Sequence, residues 1–403
     1  MDLDLIRRLA IPNKTKILMA VVDGLGGLPH PETGRSELEA ANLHSLDRLA
    51  AESSCGLTIP VGTGITPGSG PGHLALFGYD PLTYTVGRGV LEALGIDFDL
   101  RPHDIAARGN LCTLDAQGNI IDRRAGRIET AKTAAICEKL RTIELPGVEV
   151  FVEPVRDYRF VLVLRPNGAG ELSDAVADVD PEREGVPVPE PRALVPEAEP
   201  TARLLHDFIA AAREQLNGSA PANGLTLRGI ARHPKMPKFP DVFGLRAAAI
   251  AVYPMYRGLA KLVGMDVLET GSTYADEIAT LREHWNDFDF FFIHYKWADS
   301  PGEDGNFEAK VAALEAFDGF VGDLRNLGAD VLMVAGDHST PTVIAGHSWH
   351  PVPFLLHSNW SPGDDVDKFH ERACLRGALG IFPASEVMPL AMANAQRLAK
   401  YGA

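Results

Sequence analysis

Continuous apolar runs and stretches of helical period alternate along most of this chain. Residues 17–22 form an apolar run ended by Asp23-Gly24, and residues 43–52, preceded by Asn42 as an N-cap, read as the helix of a first βα unit. The C-terminal half repeats the rhythm. Segments 247–252, 288–293, 331–335 and 352–356 are near-continuous rather than alternating apolar runs, interrupted only by Asp289, the pattern of strands buried on both faces. Between them, 273–285 and 306–327 carry helical periodicity, and Gly328 stands where a helix ends on a glycine. Strands alternating with helices imply an α/β fold with a mainly parallel sheet flanked by helices.

The middle breaks this rhythm. Short apolar segments at 110–114 and 120–122 flank a Gln117-Gly-Asn turn, followed by a helix near 129–143, paired strands at 148–152 and 160–164, and a helix at 201–216. This pattern predicts a smaller α+β domain, residues 104–223, inserted into a discontinuous catalytic domain of residues 1–103 and 224–403. A chain of 403 residues exceeds the size at which one core usually keeps growing, which agrees with two domains. Residues 180–200 are dense in Pro and Glu and read as an exposed loop.

Charge narrows the partners. A formal net charge of −16 argues against nucleic acid or an anionic membrane, both of which call for basic patches. A small anionic substrate would need local arginines or metal ions. Cys55, Cys112, Cys137 and Cys374 are scattered without a CxxC pair, as expected of reduced thiols. The acidic start and the short first apolar run fit neither a signal peptide nor a membrane span, so the expectation is a cytoplasmic protein.

The candidate chemistry lies where apolar runs end. Three of them lead into aspartate: Asp23, Asp299 and Asp337, the last followed by His338. In an open α/β sheet the carboxyl ends of the strands share one rim, so these residues are expected to converge. Asp23-Gly24 alone is also an ordinary turn. An adjacent acid and imidazole after a buried strand are costly without a partner, and coordination to a metal satisfies both. Of His347, His350 and His357, His347 is the ligand candidate because it sits on a glycine-flanked loop.

A second feature is the loop Thr66-Pro-Gly-Ser69-Gly-Pro-Gly-His73. Its bare backbone can approach an anion, and the apolar stretch after it places the loop at a helix N-terminus, where anions are favoured. Ser69 is the candidate nucleophile and also a candidate metal ligand, because coordination to a dication would stabilise its alkoxide. Lys296 and Arg257 add positive charge near the rim, Lys296 as a catalytic candidate. Arg123, Arg124, Arg127 and Arg159 are candidates for gripping carboxylate or phosphate through forked hydrogen bonds.

Taken together, Val22-Asp-Gly, the segment Thr66 to Pro81, Asp122-Arg-Arg-Ala-Gly-Arg127, Asp299 onward, Gly336-Asp-His and His347 to Pro353 resemble the cofactor-independent phosphoglycerate mutases of archaeal type, in the alkaline phosphatase superfamily. The resemblance implies that Ser69 becomes phosphorylated, that Asp23, Asp337 and His338 hold one divalent ion, and that Asp299 and His347 hold a second. It implies interconversion of 3-phosphoglycerate and 2-phosphoglycerate without bisphosphoglycerate, with arginines of the inserted domain, Arg124, Arg127 and Arg159, holding substrate. One position departs from the family. Four residues beyond Asp299, where a histidine ligand is expected, stands Glu303, an oxygen donor that favours Mn²⁺ or Mg²⁺ over Zn²⁺. The alternatives are a phosphate or phosphonate ester hydrolase, a phosphotransferase with another acceptor, and a non-catalytic metal-binding protein.

Overall fold

The computed structural model describes residues 2–168 and 171–402. In chain order its strands are β1 (Ile17–Val22), β2 (Ser54–Ile59), β3 (Ile105–Leu114), β4 (Ile120–Asp122), β5 (Val148–Arg156), β6 (Arg159–Pro166), β7 (Gly224–Arg232), β8 (Ala247–Ile250), β9 (Asp266–Val267), β10 (Phe290–Tyr295), β11 (Val331–Ala335), β12 (Val352–Ser358) and β13 (Gly380–Pro383). The chain divides into two compact units, Met1–Thr85 with Met236–Ala403, and Val86–Lys235.

The first unit is built on an eight-stranded sheet in the order β13-β2-β12-β11-β1-β10-β8-β9. β1, β10 and β11 are buried along their whole length, which is why their sequences are apolar runs, with His294 in β10 the one polar residue. β1 pairs in parallel with both β10 and β11, and β10 continues in parallel to β8. The sheet turns antiparallel at β12, which pairs with β11 and with β2. Register then positions the chemistry. Val22 lies opposite Tyr295 and Val21 opposite Ala335, so β1, β10 and β11 finish side by side. Asp23 follows β1 directly, Asp337 comes two residues after β11, and Asp299 opens the short helix Asp299–Glu303 beyond β10.

The helices match their sequence periods closely. Helix Phe307–Asn326 buries Leu314, Phe317, Val321 and Leu324, its N-cap Asn306 accepts from the Ala309 amide, and Gly328 follows at φ +71°. Helix Tyr274–Glu283 opens with a capping box between Thr273 and Asp276. The expected Asn42 cap is corrected. Helix His44–Ala51 has Leu43 at its N-cap position, and its first free amides, Ser45 and Leu46, donate to the Asp318 carboxylate of helix Phe307–Asn326. Tertiary packing thus supplies the capping oxygen that no local side chain provides.

The second unit is an antiparallel sheet in which β3 pairs with β4, β6 and β7, and β6 pairs with β5. Helix Glu199–Leu216 packs Leu205, Phe208 and Ala212 into its core. The unit takes in helix Arg88–Gly95 and β7, which the sequence reading assigned to the larger domain. β7 belongs there because it pairs with β3 from Ile105 to Cys112. Gly89 lies so close to β3 that a Cβ would come within 2.3 Å of the Ala106 oxygen.

The stretch 180–200 is largely the exposed loop its composition suggests, anchored to the second unit at a few points. Asp180 and Val188 are buried, Asp180 accepts from Arg123 Nη2, and the Ile120 amide donates to the Val186 oxygen. All four cysteines are free and buried. No helix among the described residues is long and apolar enough to cross a membrane.

Candidate active site

At the rim formed by β1, β10 and β11 the expected ligands fall into two overlapping groups, Asp23 with Asp337 and His338, and Asp299 with His338 and His347. Asp337 Oδ1 accepts from the amides of Gly24 and His338, which fixes its other oxygen toward the cluster. His338 Nε2 lies 3.2 Å from Asp337 Oδ2 and 3.4 Å from Asp23 Oδ1. Ser69 Oγ is 3.2 Å from the same nitrogen.

Ser69 begins helix Ser69–Leu76, after Gly68 in the N-cap position, and is itself buried. Gly72 explains part of the glycine-rich sequence: a Cβ there would lie 2.1 Å from the Asp337 oxygen, so only glycine lets this helix rest on the loop after β11. His347 Nδ1 donates to the Pro67 oxygen at 2.9 Å, leaving Nε2 to face Asp299 Oδ1 and Glu303 Oε1, each at 3.6 Å. Glu303 is 54% exposed and stands outside both groups, at the edge of the second.

Lys296 reaches into the middle of this arrangement. Its Nζ is 2.7 Å from Asp23 Oδ2 and 2.9 Å from Asp299 Oδ2. Burial alone would lower its pKa, but the two carboxylates raise it above the ordinary lysine value. The charges still do not balance, with three aspartates facing one ammonium. Burial, and next the charge of Asp337, push Asp23 well above the usual carboxylate range. Asp337 runs the other way: against burial, His338 and His73 hold it low. Burial brings the His338 imidazole down to about 4, so it is neutral at pH 7 and offers a lone pair.

This donor set fits divalent cations. Asp23 Oδ1 and Asp337 Oδ2 are buried without a hydrogen-bond partner among the described residues, an expensive arrangement that coordination would relieve. Neutral imidazoles and carboxylates are the ligands such ions use. The Lys296 ammonium, against the other oxygen of Asp23 and against Asp299 Oδ2, shows that the rim already accommodates a positive charge beside them.

Several residues around the cluster escaped sequence reading. His73 Nδ1 is 2.8 Å from the Ser69 oxygen and 3.2 Å from Asp337 Oδ2, so it links the serine segment to a candidate ligand. Its signal was its position four residues after Ser69, one helical turn along. The Tyr256 hydroxyl donates to Asp23 Oδ2, and its ring stacks on His294 at 3.8 Å between centroids. His294 is a polar residue inside an apolar run, a signal in itself, whereas nothing local marks Tyr256. Thr340 Oγ1 contacts both Asp299 and His338.

Other predicted residues are not members of these two groups. Arg257, in helix Pro254–Leu262, reaches Glu269 Oε1 at 2.6 Å. Arg124, Arg127 and Arg159 belong to the second unit. Arg124 and Arg127 are exposed and flank a turn with three successive positive φ angles, Ala125 at 47°, Gly126 at 62° and Arg127 at 52°. Asp122 clamps that turn, accepting from the amides of Arg124 and Gly126. Two non-glycine residues held in the left-handed region mark a backbone kept strained by its surroundings. Arg159 lies over the Tyr158 ring, 5.0 Å from its centroid.

Comparison with known proteins agrees with this geometry. A profile of the family described as 2,3-bisphosphoglycerate-independent phosphoglycerate mutase matches residues 50–223. A protein of Aquifex aeolicus named "Probable 2,3-bisphosphoglycerate-independent phosphoglycerate mutase" is 49% identical over 100% of both chains. A Thermotoga sp. protein of the same name is 47% identical over 99% of both. Among solved structures, one from Pyrococcus horikoshii superposes with a TM-score of 0.84 at 27% identity, covering 97% of this chain and 100% of the other. The cofactor-independent phosphoglycerate mutase of Thermoplasma acidophilum gives 0.66 at 28% identity, covering 94% and 99%. With near-half identity along its entire length and a buried serine set among paired acids and imidazoles, the chain belongs to the 2,3-bisphosphoglycerate-independent phosphoglycerate mutase family.

Proposed function

We propose that this chain interconverts 3-phosphoglycerate and 2-phosphoglycerate by two phosphoryl transfers through Ser69. The observation that carries the reading is the placement of Ser69 Oγ 3.2 Å from His338 Nε2, at a helix start and beside both ligand groups. Ser69 Oγ attacks phosphorus in line, the bond from phosphorus to the C3 oxygen breaks, and the serine proton ends on the released hydroxyl. The C2 hydroxyl of the retained glycerate then attacks the phosphoserine and returns a proton to Ser69. Nothing is gained or lost overall, so no bisphosphoglycerate is required.

Asp23, Asp337 and His338 would hold one divalent ion, and Asp299 and His347, with Glu303 beside them, a second. Such ions, when bound, stabilise a serine alkoxide and offset charge on the transferring oxygens. The oxygen donor at Glu303 favours Mn²⁺ or Mg²⁺ over Zn²⁺. Lys296 balances Asp23 and Asp299 and keeps a positive charge where phosphoryl oxygens arrive. Arg124 and Arg127, on the strained turn, and Arg159 are assigned the substrate's carboxylate and phosphate, and Arg257 adds positive charge on the first unit. We place the protein in the cytoplasm, a reading with which four free, buried thiols agree.

The test is to trap the phosphoenzyme. Incubation with 3-phosphoglycerate and Mn²⁺ followed by acid quench and peptide mass spectrometry should find phosphate on Ser69. Phosphate on another residue, such as Thr66, would overturn the assignment of the nucleophile.

A further inference from the structure

We propose that Thr340 is a positioning residue that fixes the tautomer of His338 and ties the two candidate ion-binding groups to each other. The proposal rests on the reading of those groups given above. Thr340 is fully buried, with Oγ1 3.0 Å from Asp299 Oδ1 and 2.9 Å from His338 Nδ1. A hydroxyl has a single proton to give, and an ionised carboxylate can only accept. The proton therefore goes to Asp299, and His338 must bring its own N–H on Nδ1 to the remaining lone pair.

The consequence falls on the far side of the ring. With Nδ1 protonated, Nε2 carries the free lone pair; Ser69 Oγ at 3.2 Å can donate to it, and Asp337 Oδ2, also at 3.2 Å, is an acceptor with which that lone pair would share a bound cation. The hydroxyl thus aims the donor nitrogen of His338 into the group formed with Asp23 and Asp337, while its own proton holds an oxygen of Asp299 in the other group. One side chain touches a ligand candidate of each, so displacement of one group is felt by the other.

The surroundings leave the hydroxyl little freedom. The Thr340 amide donates to the Gly26 oxygen at 3.0 Å. Lys310, fully buried on helix Phe307–Asn326, donates from Nζ to the oxygens of both Gly26 and Thr340, at 2.9 and 2.8 Å. The loops after β1 and β11 are clamped together by that ammonium. Gly24 supplies the space: a Cβ there would lie 2.7 Å from Thr340 Oγ1 and 3.1 Å from Asp299 Oδ1. The missing side chain leaves room for the hydroxyl bridge.

The experiment compares the full-length wild-type chain with Thr340→Val and Thr340→Ser. Long-range nitrogen–proton correlation on metal-free protein labelled at the histidine rings reads the tautomer, and calorimetric titration with Mn²⁺ reads ion affinity. We expect His338 as the Nδ1–H form in the wild type and Thr340→Ser, and a loss of that preference in Thr340→Val. Mn²⁺ affinity should fall about tenfold in the valine variant, the usual cost of removing a partner of a metal ligand, and recover in the serine variant. An Nε2–H tautomer in the wild type overturns the proposal without reliance on any variant. So does a valine variant with unchanged tautomer and affinity. A wild-type chain that takes up no Mn²⁺ contradicts the ion-site reading instead, and the tautomer measurement then decides the role of Thr340 alone.

Discussion

Ser69 Oγ and His338 Nε2 stand 3.2 Å apart although the two residues are 269 positions distant in the chain. The sheet register makes this contact. β1 and β11 end level with each other, and Gly72 lets the serine helix lie directly on the loop that carries His338. The serine therefore meets a neutral imidazole and two carboxylates with unused oxygens, an environment suited to forming a phosphate ester at neutral pH.

Ser69→Ala removes the nucleophile and nothing else of size. Mutase activity should fall on the order of 10³-fold or more, as for loss of a covalent catalyst. Mn²⁺ content and melting temperature should stay near wild type, measured by elemental analysis and calorimetry. Retained turnover would show that phosphate passes through another group.

Chelation should abolish activity, and Mn²⁺ should restore it better than Zn²⁺. Asp337→Asn and His338→Ala should each lower ion content. Glu303 lies 3.6 Å from His347 Nε2 at the edge of the second group, so Glu303→His should shift the preference toward Zn²⁺ by adding a softer nitrogen donor. An unchanged order of ions in that variant would remove Glu303 from the selection of the ion. Full activity of the stripped wild type would remove the ions altogether.

Arg124 and Arg127 sit on a turn held in left-handed conformation by Asp122. If they hold glycerate between the two transfers, replacing both with alanine should lower 2-phosphoglycerate formation by about 10²-fold or more, while release of inorganic phosphate rises relative to isomerised product. A parallel loss of both products would assign the arginines to binding alone.

Glu277 gives a pH signature away from the ligands. Burial raises its carboxyl well above the ordinary value despite the nearby amides of Val252 and His294, and neither oxygen has a hydrogen-bond partner among the described residues. A pKa raised by folding contributes stability that is complete below the unfolded value, about 4.3, and is lost as pH rises through the folded value. Wild-type stability should therefore decline across that window with a slope of up to about 1.4 kcal/mol per pH unit from this group. Glu277→Gln should flatten the decline in denaturant titrations at several pH values. An identical pH profile would show that Glu277 ionises freely.

Much of this was legible in the sequence because buried parallel strands leave near-continuous apolar runs, and the rim at their ends follows from topology. Asp23, Asp299, Asp337, His338 and Ser69 were all marked by such local signals. Tyr256 and Thr340 were not, because each acts through a contact made only by the fold: Tyr256 reaches Asp23 across 233 positions, and Thr340 reaches Asp299 across 41. The Asn42 cap failed for the same reason, since the oxygen that caps helix His44–Ala51 comes from Asp318. At 180–200 composition pointed to an exposed loop, and most of it is exposed; Asp180, buried against Arg123, is the local exception that only the fold reveals.

The most direct measurement is an enolase-coupled assay with 3-phosphoglycerate, Mn²⁺ and no added bisphosphoglycerate. Phosphoryl transfer through Ser69 predicts immediate production of 2-phosphoglycerate, lost in Ser69→Ala and insensitive to added bisphosphoglycerate. Release of inorganic phosphate with no 2-phosphoglycerate, or turnover that begins only when bisphosphoglycerate is supplied, would contradict it.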